Sequence, residues 1–350
     1  MPRFLIYGAN GYTGELIVRE AVARGHQPIL GGRNAQALAV LGGELGLEHR
    51  AFPLDVPEGI DANLRDVAVV LHCAGPFAHT SRPMADACLR TGAHYLDITG
   101  EVSVFEALFA RDAEARAAGV MLLPGVGFDV VPSDCLAAHL KRRLPTANRL
   151  ALGFQALGRI SRGTATTMVE NLHRGGLVRQ DGALRKVPAA WKTRVIDFGA
   201  GPVKAMTIPW GDVSTAYRST GIPNIEVYLA APLRLRVAAR ASRYLGWLLG
   251  SDLVQRLFKR RIRAGPPGPT ADERNRGESL LWGEVEDPAG RKVVSRMRGP
   301  DGYTLTVRAA LAVVERLLAG AAAPGFQTPS TVFGPDFVPG LEGVFREDEP

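Results

Sequence analysis

Up to about Leu144 the chain alternates short apolar runs with longer stretches whose apolar residues recur at helical spacing. The first run is Phe4-Leu5-Ile6-Tyr7. Residues 15–23 follow, with Ile17/Ala21 and Val18/Val22 on one face and Gly25 as a stop. Further strand-like runs lie at 28–30, 50–54, 67–73, 94–99 and 120–123. Between them the pattern predicts a helix at 35–45 and one with Ser81 as N-cap, Pro83 in its first turn and Gly92 as stop. A Ser103/Glu106 capping box opens a helix that ends at Gly119, and Pro132-Ser133-Asp134 opens another that Pro145 closes. Strand–helix alternation of this kind makes a parallel sheet covered on both faces. The expected first domain is 1–147. Beyond it the alternation loosens, with strands expected at 149–155, 193–198, 225–230, 280–286 and 293–297 and a helix at 304–318. These predict an α+β, mixed-sheet second domain over 148–319. The glycine- and proline-rich residues 320–350 read as an irregular tail packing back on the first domain.

The turn after the first strand carries the chemistry. Gly8-Ala9-Asn10-Gly11-Tyr12-Thr13-Gly14 spaces glycines three apart between a strand and a helix. Such a turn lets backbone N–H groups approach a pyrophosphate at a helix N-terminus, which makes the first domain a Rossmann-type α/β unit. Gly8, Asn10, Gly11, Tyr12, Thr13 and Gly14 are therefore the candidate phosphate cradle. An acidic residue about 20 positions beyond the last glycine would hold a ribose 2′-hydroxyl. Here Arg33 stands nineteen positions beyond Gly14. A guanidinium grips a 2′-phosphate that a carboxylate would repel, so the expected cofactor is NADP(H). The alternative for Arg33 is a solvated surface arginine. Asn34 is either a second polar contact or the N-cap of the following helix. Asp55 is either an acceptor for the adenine amino group or an ordinary loop carboxylate.

Charge changes the picture locally. The net charge is +7, yet residues 232–264 hold nine basic residues against one aspartate, so the rest of the chain is near neutral. A general nucleic-acid-binding surface is not expected. That segment also carries Tyr244, Trp247, Leu253 and Leu257, which suits a peripheral membrane contact, an acidic carrier protein, or simply a solvated helix pair. The three cysteines and seven histidines have no ligand spacing, so no metal and no disulfide framework are expected, and a reducing, cytoplasmic setting is.

At these motifs the chain resembles the saccharopine dehydrogenase-like family of NADP-binding oxidoreductases. The matching pieces are the glycine turn, Gly32-Arg33-Asn34, Ala74-Gly75-Pro76-Phe77, the run from Tyr95 to Glu101 and the run from Gly127 to Asp134. The last two resemble the trans-acting enoyl reductase branch. The resemblance implies a Rossmann domain with a mixed-sheet domain, NADP(H), and hydride transfer to an enoyl thioester or an imine. It implies a small-molecule or carrier-bound substrate; a homodimer is the expected assembly. Strand ends place Ala74, Gly75, Pro76 and Phe77 against the ribose and nicotinamide. Asp97, Glu101, Asp129 and Ser133 are the candidates for chemistry; capping or loop bracing is the competing role for each. Cys73 and Tyr95 read as core, and His72 and His79 flank the cofactor loop. Ser161-Arg162-Gly163-Thr164 reads as a flexible polar loop, with Arg162 and Thr164 as substrate contacts or plain connectors.

Overall fold

The computed structural model describes residues 2–171, 173 and 175–349. In chain order the elements begin β1 (Phe4–Tyr7), α1 (Tyr12–Ala23), β2 (Ile29–Gly32), α2 (Ala35–Leu45), β3 (His49–Ala51), α3 (Pro57–Leu64), β4 (Val69–His72), α4 (Phe77–Thr91), β5 (His94–Asp97), α5 (Val102–Phe109), α6 (Asp112–Ala117) and β6 (Met121–Leu123). They continue as α7 (Val131–Arg143), β7 (Arg149–Leu157), α8 (Arg162–Asn171), β8 (Gly176–Gln180), β9 (Ala183–Val187), β10 (Thr193–Asp197), β11 (Pro202–Thr207), α9 (Asp212–Thr220) and β12 (Asn224–Ala230). The last are α10 (Leu233–Leu249), α11 (Asp252–Ala264), α12 (Ala271–Arg276), β13 (Glu278–Glu286), β14 (Lys292–Pro300), α13 (Gly302–Leu318), β15 (Gly325–Phe326), α14 (Pro329–Phe333) and β16 (Phe345–Asp348).

The first sheet is wholly parallel, in the order β15-β6-β5-β4-β1-β2-β3. Its central strands, β1 and β4, are buried along their whole length, as continuous apolar runs between two helical layers must be. The second sheet is mixed, with the path β10-β11-β12-β7-β13-β14-β16, β8 appended to β12 and β9 to β8. Within it Ile196, Phe198, Tyr228, Leu280 and Trp282 form a core on one face. The α/β class with a parallel and a mixed sheet is as the alternation predicts.

The compact units divide the chain elsewhere than the expected 1–147, 148–319 and 320–350. One is Met1–Val131 with Leu305–Val332; the other is Pro132–Thr304 with Phe333–Pro350. The reason lies in long-range packing. Leu305, Ala309, Leu311 and Val313 of α13 are buried, and Thr306 Oγ1 accepts from the Phe128 amide at 2.9 Å, tying that helix to the first unit. The tail is not irregular: β15 adds to β6 in the first sheet, and β16 adds to β14 in the second. Helix α7, expected in the first domain, lies almost wholly in the second unit. Its Leu140 sits so close to Gly283 of β13 that a Cβ there would come within 2.5 Å.

Local signals also misled at three helix starts. Ser81 is not a cap but a buried residue inside α4, which begins at Phe77. The Glu101 carboxylate accepts from the Phe77 amide at 2.8 Å and the Ala78 amide at 3.3 Å, so the helix is capped from another strand's end. Ser103 likewise lies inside α5, whose N-cap is Glu101, and the helix stops at Phe109 rather than running to Gly119. Ser161 to Thr164 is the opening turn of α8, not a flexible loop; Ser161 Oγ accepts from the Thr164 amide at 3.2 Å.

Candidate functional site

The glycine turn closes tightly on itself. Gly8 has φ +88°, and its amide and that of Ala9 both donate to the Gly31 carbonyl, at 2.8 and 3.1 Å. Gly11 N donates back to Gly8 O at 2.9 Å, and α1 starts at the next residue. At Gly14 a Cβ would lie 2.2 Å from the Gly8 oxygen, a distance no side chain tolerates. A Cβ on Gly8 would meet the Ala74 amide at 2.9 Å, so the turns after β1 and β4 are pressed together. This is a cradle that only glycine backbone can form, with the opening of α1 directed at whatever anion sits there. Asn10 lies across the end of β2, its Oδ1 3.2 Å from where a Gly32 Cβ would be. Tyr12 and Thr13 are half-buried in the first turn of α1.

Arg33 follows β2 directly. Its side chain is exposed and has no hydrogen bond or ion pair among the described residues. Asn34 is the N-cap of α2, its Oδ1 accepting from the Ala37 amide at 3.1 Å, one of its two expected roles. Asp55 is exposed. Arg33 and Asp55 are the charges that bear on the buried Tyr7 phenol, whose pKa burial pushes up to about 12, so both stand at this end of the sheet. Tyr7 in turn donates to the Phe52 carbonyl at 2.9 Å.

The loop from Ala74 to Phe77 is braced from below. Thr80 Oγ1 donates to the Ala74 carbonyl at 2.7 Å and lies 2.9 Å from His72 Nε2. Burial pulls the His72 imidazole down to about 3, so it is neutral and structural at any ordinary pH. Burial pushes the Cys73 thiol well up, which removes it as a nucleophile. Thr80 was not singled out from sequence; a threonine four residues into a helix after a strand-end loop is the signal that was available.

The four candidates for chemistry separate cleanly. Asp97 is fully buried and accepts from the Tyr95 hydroxyl at 2.7 Å and from the Thr99 and Gly125 amides, each at 2.9 Å. Burial pushes its carboxyl up to about 6, and those three donors hold it as the clasp of the loops after β5 and β6. Glu101 is spent on the first turn of α4. Ser133 is buried in the first turn of α7, in the other compact unit, as is Asp134, which accepts from the Ser219 hydroxyl at 2.7 Å. Asp129 differs. It is half-buried over Gly100, where a Cβ would meet its Oδ2 at 2.8 Å, and no described residue donates to it. Burial alone pushes its carboxyl up to about 7.

In the second unit Arg162 donates through Nε to the Gly265 carbonyl at 2.9 Å, and Thr164 Oγ1 lies 3.3 Å from the Tyr303 hydroxyl. Arg162 is thus occupied in fastening α8 to the 265–269 loop. Among the described residues no cluster of histidine, cysteine or carboxylate could hold a metal.

Residues 4–123 match the family model described as the saccharopine dehydrogenase NADP binding domain. That stretch, about a third of the chain, is similar to the NADP-binding domain of the saccharopine dehydrogenase family. The cradle, Arg33 and the 74–77 loop all fall within those residues, and the unfilled guanidinium beside a glycine cradle fits NADP(H). Two curated proteins are similar to parts of the chain. A trans-acting enoyl reductase of Mycobacterium leprae (strain TN) is 33% identical over 156 residues, covering 40% of this chain and 35% of its own. A saccharopine dehydrogenase-like oxidoreductase of Bos taurus is 26% identical over 218 residues, covering 56% of this chain and 46% of its own. The matches thus span less than half the length of these curated relatives. Apo saccharopine dehydrogenase (L-Glu forming) of Saccharomyces cerevisiae shares the fold over 100% of both chains, with TM-score 0.65 and 11% identity.

Proposed function

We propose that this protein is an NADPH-dependent oxidoreductase that transfers hydride to an electrophilic carbon of an enoyl thioester or an imine. The carrying observation is the free Arg33 guanidinium at the end of β2, inside a domain of the NADP-binding family. The curated relatives named as trans-acting enoyl reductases support the enoyl thioester over the imine.

The residues divide the work. Backbone amides around Gly11 to Gly14 would bind the pyrophosphate, and Arg33 would hold the 2′-phosphate. When bound, NADPH supplies the reducing equivalent. Glu101 and Asp97 fix the loops at the strand ends, Glu101 by capping α4 and Asp97 by clasping three donors. Asp129, to which no described residue donates and whose carboxyl burial pushes up to about 7, would supply the proton to the acceptor that takes hydride.

Loss of reduced-nicotinamide absorbance with a panel of enoyl thioesters, on coenzyme A and on a carrier, and of imino acids tests the reading. Turnover with NADPH well above NADH is expected. Tight NADPH binding with no turnover on any member would instead favour a cofactor-binding protein without this chemistry.

A further inference from the structure

Helices α10 and α11 present an outward surface that the fold does not use. Their inner sides are fastened. Ala239 packs against Ala190, Met206 and Ala231, and Arg243 donates to the Ala189 and Ala190 carbonyls, both at 2.7 Å. Lys259 pairs with Glu170 at 2.6 Å, and Gln255 donates to the Val169 carbonyl at 3.0 Å. The outward sides are apolar where solvent-facing helices are usually polar. On α10, Leu233, Val237, Tyr244 and Leu248 follow one stripe at helical spacing, with Trp247 at its edge. Tyr244 is 82% exposed and Trp247 79%. On α11, Leu253 and Leu257 stand one turn apart, 72% and 65% exposed. Arginines border both stripes, and Arg240 and Arg260 fall on the same faces as the apolar side chains. The side chains of Arg234, Arg236 and Arg240 on α10, and of Arg256, Arg260 and Arg261 on α11, have no hydrogen bond or ion pair among the described residues. Asp252 is the single acidic residue of the two helices.

We propose that α10 and α11 form a docking surface for an anionic lipid bilayer, lying in the plane of its headgroups. Three observations favour a bilayer over an acidic protein. The largest exposed side chains are a tryptophan and a tyrosine, whose rings with one polar edge settle at the apolar–headgroup boundary. The apolar side chains form stripes on outward helix faces rather than lining a groove, the arrangement of a helix lying on a surface. The arginines occur along both helices, matching a field of like headgroup charges rather than one carboxylate each. Among the described residues no helix is long and apolar enough to cross a membrane, so the contact is peripheral.

The test is co-sedimentation of the full chain with phosphatidylcholine vesicles that contain or lack about one third phosphatidylglycerol, at low and high salt. The protein should pellet with the anionic vesicles at low salt, be released at high salt, and ignore phosphatidylcholine alone. Each arginine removed should weaken vesicle affinity roughly fivefold, so R256A/R260A should lose about 25-fold. Y244S/W247S should also weaken binding, and W247F should abolish a vesicle-induced blue shift of tryptophan emission. All these positions are exposed, and thermal melting will show whether each variant remains folded. No pelleting with anionic vesicles at low salt overturns the proposal. So does pelleting that neither pair of substitutions alters, and so does capture of an acidic carrier protein by a chain that ignores vesicles.

Discussion

Replacing Arg33 by alanine removes a side chain that the protein itself does not use. The guanidinium is exposed and bonded to no described residue, so its loss should change unfolding free energy by no more than about 0.5 kcal/mol. Its cost should appear only when a 2′-phosphate is present. A hydrogen bond to a charged group contributes about 1.5–3 kcal/mol, which corresponds to a rise in Kd for NADPH of about 10- to 150-fold. NADH has no phosphate at that carbon, and its Kd should stay where it is. R33K keeps the charge but not the planar fork and should fall between. Calorimetric titration of both nucleotides into the wild type and the two variants measures the ratio directly. Equal weakening of NADPH and NADH by R33A, or no weakening of either, would show that the phosphate is held elsewhere.

Four further substitutions test the same compact unit. G14A should destabilise the fold by about 1–3 kcal/mol and weaken both nucleotides, because its Cβ would sit 2.2 Å from the Gly8 oxygen. G43A, in open space on α2, should instead stabilise by about 0.5–1 kcal/mol, and paired urea melts would separate strain from helix propensity. D97N puts an amide where three donors converge; a loss of about 1–3 kcal/mol is expected, and an unchanged melt would refute the clasp. D129N tests a pH dependence. The folded-state pKa is raised from 3.8 to about 7, so the folded protein holds this proton more tightly than the unfolded chain. Stability from this group is therefore full below about pH 4 and lost as pH rises to about 7, with a slope on the order of 1.4 kcal/mol per pH unit. D129N should flatten that part of the wild-type curve, and any NADPH turnover should lose its decline above neutral pH.

What could be read in the sequence was what local spacing determines. The glycine turn, the bounds of β1 and α2, the position of Arg33 and the αL stop at Gly92 all depend on residues within one turn of each other. What could not be read depended on partners far along the chain. Helix α4 starts at Phe77 because a carboxylate 24 residues later caps it. Strand β15 exists because β6 offers an unpaired edge some 200 residues earlier, and two residues of glycine and phenylalanine carry no strand signal alone. Strands β9 and β11 are short and largely polar or exposed at their ends, so alternation was weak there. The return of α13 to the first unit hangs on Thr306 finding the Phe128 amide. Arg162 stayed open between a substrate contact and a plain connector because sequence shows a charge and its neighbours, but not the Gly265 carbonyl it donates to.

The aspartates at the end of β5 and in the loop after β6 show why residue type alone could not assign roles. Both are pushed up by burial, to about 6 and about 7. At Asp97 the burial is compensated, since a hydroxyl and two amides fill its lone pairs and make it a rivet between loops. At Asp129 nothing in the described chain does so, and the missing side chain of Gly100 is what leaves space for the carboxylate. A half-buried carboxyl without donors loses part of its hydration and gains no hydrogen bond in return, so it adds nothing to the packing that an apolar residue would not. No described residue donates to this carboxylate, so it braces no loop as Asp97 does, and under the proposed function it is the group that would hand a proton to the acceptor.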